Sequence, residues 1–210
     1  MGWHEDSKDL RSRLQKEIDR TEEEGDYDAI LLAYGLCASA TAGLHAARTR
    51  LVIPRAHDCI TLILGSRQRF VRTLMDLPNC FWYTANWIEC TDMPGPEQEA
   101  RMRQEFEDAD YDEEDIEYLL EELGARSKYR SAAYISTPFS NQEKYRRITK
   151  EAADYYGWEF HEVEGDLNLL ERLITGDWKS SDFLVLEPGE IIAQSHDPDD
   201  VIEKKRPEDD

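Results

Sequence analysis

Short apolar runs, each followed by a loop and then a helical stretch, recur along this chain and constrain its fold more than any other feature. Residues 29–33 (Ala-Ile-Leu-Leu-Ala), 51–53 (Leu-Val-Ile), 81–84, 132–136, 158–163 and 182–186 read as strands. Leu10, Leu14 and Ile18, four residues apart, predict a helix over 5–24 that ends at Gly25. Further helices are expected at 41–47, 58–74, 141–156 and 166–176. Such alternation predicts an α/β fold: a mostly parallel, doubly wound, Rossmann-like open sheet with helices on both faces. That layout usually opens on a strand, whereas this chain opens on a helix. Its first strand is therefore expected to be missing, or the chain to be truncated at its start.

A length of 210 residues suits one such domain, placed at 5–192, and is short for two. Within it, residues 94–126 read as a strongly acidic helical insertion with a break at Tyr111-Asp112. Ile116, Leu119, Leu120 and Leu123 still form an apolar stripe there, so the insertion should pack on the sheet. Residues 193–210 read as a polar tail, expected to fray after Pro198.

Charge narrows the partners. The formal net charge of −21, from 46 acids against 25 bases, argues against nucleic acid or an anionic membrane as partner. No run of eighteen apolar residues and no signal-peptide pattern is present, so a cytoplasmic location is expected. In that compartment Cys37, Cys59, Cys80 and Cys90 are expected as thiols or ligands, since four dispersed cysteines make no disulfide scaffold for this size. From 38 to 75 the chain carries Arg48, Arg50, Arg55, Arg67, Arg69 and Arg72 against a single acid, Asp58. This basic island in an acidic protein suggests an anionic ligand, although arginines on helices more often pair with acids elsewhere.

The strands at 29–33 and 51–53 run into Tyr34-Gly35-Leu36-Cys37 and Pro54-Arg55-Ala56-His57-Asp58-Cys59. Loops leaving the carboxyl ends of neighbouring parallel strands face one crevice, where ligands bind. Two thiols and an imidazole would meet there, and these are ligands of zinc, iron and iron–sulfur centres. Cys90 or Glu89 would supply a further ligand. Arg55, Ser66 and Arg67 would hold an anion, and Trp87 would wall the pocket. The plainer reading makes Asp58 an N-cap beside a half-buried histidine and a core cysteine, and gives the aromatic residues a packing role. Cys80, at the start of a strand, reads as a core thiol. His45, His161 and His196 read as structural or exposed. Nucleophile-elbow, P-loop and dinucleotide-fingerprint motifs are all absent.

At these residues the chain resembles an uncharacterised family, the domain of unknown function number 1638 of archaea and anaerobic bacteria. The resemblance rests on 28–37, on 51–62 with its His-Asp-Cys, and on Leu64-Gly65-Ser66. It continues through Tyr83-Thr84 and Trp87 to Gly165-Asp166-Leu167, Gly176-Asp177-Trp178 and the final strand, about residues 8–192 in all. Members are often encoded near corrinoid-dependent methylamine methyltransferases, which implies a place around corrinoid or one-carbon metabolism. The family usually reads Gly-Leu-Cys-Gly-Asn-Gly, where this chain has Ala38-Ser39-Ala40 after Cys37. It also has Thr84-Ala85-Asn86-Trp87 where the family has Thr-Pro-Gly-Trp, and it lacks an opening strand that bears another cysteine.

Three functions suit these residues. The first is a metal or iron–sulfur protein with Cys37, His57 and Cys59 as ligands, accessory to corrinoid methyl transfer and in contact with the methyltransferase proteins. The second is a thiol-dependent transferase or hydrolase with Cys59 as nucleophile, His57 as base and Cys37 assisting or resolving. The third is a carrier, without catalysis, of a corrinoid or a small anionic ligand.

Overall fold

The structure is a computed structural model that describes residues 7–139, 141–197 and 200–206. The chain runs α1 (Ser7–Glu24), β1 (Ala29–Leu31), β2 (Arg50–Pro54), α2 (Cys59–Leu64), α3 (Arg67–Asp76), β3 (Cys80–Tyr83) and α4 (Ala85–Cys90). It continues α5 (Pro96–Asp108), α6 (Glu113–Leu123), β4 (Ser131–Ser136), α7 (Gln142–Tyr156) and β5 (Glu159–Glu164). The last elements are α8 (Asn168–Thr175), β6 (Phe183–Leu186), β7 (Ile191–Gln194) and β8 (Ile202–Lys205). Where the sequence reads as one domain, these elements divide into two compact units. One comprises residues 72–165. The other joins the described residues up to Val71 to those from Asp166 onward.

The discontinuous unit is built on the sheet β1-β2-β6. β1 lies parallel to β2, but β6 runs antiparallel to it, so the final strand enters against the expected direction. β2 is buried on both faces, which is why it reads as a continuous apolar run. Leu51 and Ile53 face a core with Ile18 of α1, Leu184 and Leu186 of β6, and Ile192, Val201 and Ile202 near the C-terminus. Val52 faces the other way, against Leu169 and Leu173 of α8 and Phe183. The tail read as polar over 193–210, and expected to fray after Pro198, instead carries a hairpin: β7 and β8 pair antiparallel, and Val201 and Ile202 are buried. Apolar burial, absent from a purely polar reading of that segment, fixes it.

Two helices also differ from expectation. Residues 37–43 form turns, with no helix at 41–47, because Cys37, Ala38, Ser39 and Gly43 all take positive φ (46°, 52°, 66° and 92°). The helix expected over 58–74 breaks where Gly65, at φ 78°, caps α2 in the left-handed conformation. Ser66 then accepts from the Arg69 amide at 3.1 Å and starts α3.

The other unit holds the all-parallel sheet β3-β4-β5. Small residues allow a close layer: Ala132 of β4 and Ala152 and Ala153 of α7 share a core with Tyr83, Tyr134 and Trp158. The acidic insertion is helical and breaks at the expected point, where Asp112 accepts from the Asp115 amide and caps α6. Glu99 of α5, 4% exposed, accepts a forked hydrogen bond from Arg126, which ties the insertion's two ends. The short helix α4 was not legible from the sequence. The fold is thus mixed α/β with mostly parallel strands. Neither sheet taken alone carries the reversal of strand order that a doubly wound sheet has.

Candidate functional site

Because β1 and β2 are parallel neighbours, the loops after them run side by side. Leu36 donates its amide to the Ala56 carbonyl at 2.8 Å, and Cys37 to the His57 carbonyl at 3.0 Å. Gly35 permits this approach: a Cβ there would lie 2.8 Å from the Asp58 N and Cα, against backbone that cannot yield. Beyond it the backbone turns left-handed for three residues. Arg11 of α1 holds that turn by donating to the Ser39 carbonyl at 2.6 Å, and Thr41 Oγ1 donates to Gly35 O at 3.2 Å.

The lacing brings Cys37 to Cys59. Both thiols are half-buried and reduced. Burial pushes the Cys37 thiol above its ordinary pKa and the nearby Asp58 carboxylate adds to the rise, while backbone hydrogen bonds from Gly35 and Cys59 to the sulfur oppose it. Asp58 itself is an N-cap, accepting from the Thr61 amide at 3.1 Å and from its hydroxyl at 3.3 Å on one oxygen. The plainer expectation for Asp58 is therefore met, and His57 is oriented by another group. The His57 side chain is exposed at the same loop, its ring stacked on Phe70 with centroids 6.0 Å apart.

The remaining expected site residues are placed otherwise. Arg55 donates to Asp200, to Ile202 O at 2.5 Å and to Ser180 O at 2.9 Å, so it fastens the C-terminal hairpin. Ser66 is a helix cap, and Arg67 opens α3 half-buried. Trp87, Glu89 and Cys90 belong to α4 in the other unit. There Tyr145 and Lys144 donate to the Glu89 carboxylate and hold its pKa below the usual range. Cys90 is exposed and donates to Asn86 Oδ1 at 3.6 Å. Cys80 is buried, as expected of a core thiol, and burial raises its pKa. The basic residues beside an opening are different ones. Arg13 and Lys16 of α1 line an open groove of about 520 Å³ with two acids, Asp9 and Glu17, and with Tyr34, which begins the Cys37 loop; Arg13 pairs with Asp9 at 2.8 Å.

Among the described residues, no three His, Cys, Asp or Glu side chains are grouped so as to hold a metal ion. The loops of Cys37 and of His57 and Cys59 adjoin, and the imidazole is laid on Phe70. Among the described residues, these three side chains are not grouped as the ligands of one centre. Sequence reasoning missed Gly35 as the residue that sets the thiol spacing. It also missed the left-handed turn after Cys37, whose signal was the family's Gly-Asn-Gly at that place.

Fold and site together define a mixed α/β protein with a half-buried thiol pair at the ends of two parallel strands. The chain belongs to the family described as proteins of unknown function, DUF1638, whose profile matches residues 1–174. No curated protein and no solved structure matches it. Among the described residues, no helix is long and apolar enough to cross a membrane.

Proposed function

We propose that this chain is a thiol-dependent transferase accessory to corrinoid-linked one-carbon metabolism, with Cys59 as its working thiol and Cys37 as its partner. The observation that carries this reading is the lacing of the two loops, where the Cys37 amide donates to the His57 carbonyl at 3.0 Å, two residues before Cys59. Burial keeps Cys37 protonated, which makes it a poor first nucleophile and leaves that role to Cys59 at the start of α2. His57, two residues earlier, is the base assigned to take the Cys59 proton. Asp58 fixes the loop by capping. The reaction is attack by the Cys59 thiolate on an electrophilic carbon or sulfur, forming a covalent intermediate. The metabolic setting comes from the family resemblance.

Timed alkylation with iodoacetamide near neutral pH, followed by peptide mass mapping, tests the proposal. Cys59 should react faster than exposed Cys90, and faster again than Cys37 and Cys80, whose burial disfavours the thiolate. His57→Ala should slow Cys59 alone, and chelators should change nothing. If Cys59 reacts no faster than Cys90, the proposal fails. If it reacts only after a chelator strips stoichiometric metal, the metal reading takes its place.

A further inference from the structure

We infer that Cys37 and Cys59 form a reversible dithiol–disulfide couple, and that the electrophile taken by Cys59 is the sulfur of a small-molecule disulfide. This rests on the proposed function in one respect, that Cys59 is the working thiol. It goes further by naming the substrate class and giving Cys37 a chemical step.

Reach decides which thiols can pair. A disulfide needs Cβ atoms about 3.5–4.5 Å apart and Cα atoms within about 7 Å, so it forms only between residues whose backbones already lie close. Two independent contacts put them there. The Cys37 amide donates to the His57 carbonyl at 3.0 Å, and Gly35 lies so near Asp58 that a single added carbon would overlap it. On the side-chain side, the Cys37 sulfur meets the Cys59 amide. Cys59 follows His57 by two residues, so the two cysteines sit on adjoining stretches of backbone. The other two cysteines are set apart from this pair by their surroundings: Cys80 is buried in β3, and Cys90 is exposed at the end of α4.

The chemistry balances without a metal or another cofactor. The Cys59 thiolate attacks one sulfur of the substrate RSSR. A Cys59–SR bond forms, the substrate S–S bond breaks, and RS⁻ leaves and takes a proton as RSH. Cys37 then gives its proton to water and attacks Cys59 Sγ, expelling the second RS⁻, which is protonated in turn. The protein is oxidised by two electrons and the substrate disulfide is reduced to two thiols. A resolving thiol should stay protonated until the mixed disulfide forms beside it. Its half-buried place next to the Asp58 carboxylate serves that end.

The test uses the full chain, reduced and then incubated with oxidised glutathione, quenched in acid and analysed by intact mass and peptide mapping. The expected result is loss of two hydrogens, a linked peptide pair containing Cys37 and Cys59, and reversal by dithiothreitol. Cys37→Ser should instead accumulate a glutathione adduct on Cys59. Should the wild type hold a lasting adduct on Cys59 with no link to Cys37, the couple is overturned while Cys59 keeps its role as nucleophile. Glutathione at Cys90 alone, or neither an adduct nor a Cys37–Cys59 link, overturns both. The wild-type map decides by itself if the serine variant fails to fold.

Discussion

Cys37, Ala38 and Ser39 stand in succession at positive φ, a conformation that costs an L-residue roughly 1–2 kcal/mol each. Contacts from outside the loop hold it there. Arg11 donates to the carbonyls of Ser39 and Ala40, Ser39 Oγ donates to Gln194 at 3.0 Å, and Gly43 donates to Ile192 O at 2.7 Å. The family pattern puts glycine and asparagine where this chain has Ala38 and Ser39, and those are the residues that tolerate the left-handed region. The loop therefore takes a left-handed shape with side chains less suited to it than glycine or asparagine. Ala38→Gly and Ser39→Asn should each stabilise the protein by about 1 kcal/mol, a rise of about 2–4 °C in Tm for a chain of this size. Thermal unfolding followed by circular dichroism checks this. A Tm that falls or stays put would mean that the turn carries no such strain, and that its shape serves only to place Cys37.

At the scale of elements, α1 shows how one side chain can dock a helix onto its unit. Its Leu10 and Ile18 are buried as their spacing predicts, but the decisive residue is Glu22, only 8% exposed. Its carboxylate accepts from the amides of Ala47 at 3.0 Å and of Arg48 and Thr49 at 2.7 Å, binding α1 to the turn that precedes β2. Burial pushes the Glu22 pKa up, and these hydrogen bonds more than offset it, so the folded value lies below the ordinary 4.5. A depressed carboxylate contributes stability that is fully present above its unfolded pKa and is lost as pH falls through the folded one. Glu22→Gln should therefore cost about 2 kcal/mol at neutral pH, and the gap from wild type should narrow between about pH 5 and about pH 3. Urea unfolding at a series of pH values measures it, and a gap constant with pH would refute the assignment. Nothing in the periodicity of 7–24 announced this role. Apolar spacing is legible because burial repeats with the helix, whereas a buried carboxylate is defined by three amides more than twenty residues away. The same limit explains the helix expected at 41–47: its alanines favour a helix locally, and hydrogen bonds from α1 and β7 impose turns.

Taken whole, the molecule uses its charge asymmetry on itself. Arginines of the basic island reach acids and carbonyls of their own unit: Arg50 pairs with Glu187, Arg55 with Asp200, and Arg69 with Asp166 at 4.0 Å. These pairs join the first part of the chain to its last, which closes a unit that is discontinuous in sequence. The excess of arginine at 38–75 was legible as a set of residues, but the acids paired with Arg50, Arg55 and Arg69 lie more than ninety residues on, where no local pattern shows them. The site followed the same rule. Strand ends and the convergence of Cys37 and Cys59 could be read from apolar runs, because parallel neighbours deliver their loops to one edge. The bonds of Arg55 and Ser66 could not, since only the fold shows that one clasps a hairpin and the other caps a helix. That clasp makes the C-terminal hairpin part of the core, which leads to a prediction opposite to the frayed tail suggested by composition. Ending the chain at Asp197 removes β8 with Val201 and Ile202, 3% and 0% exposed, and takes away the Asp200 partner of Arg55. Losing two buried aliphatic side chains should cost about 3–5 kcal/mol, a large share of the stability of an ordinary domain. Hydrogen exchange locates the loss: amides of β2 and β6, whose inner faces meet Val201 and Ile202 in one core, should exchange far faster, while those of β4 in the other unit change least. Unchanged protection across 50–54 and 183–186 would return the hairpin to the status of a tail. Protection lost equally in β4 would show instead that the two units unfold as one.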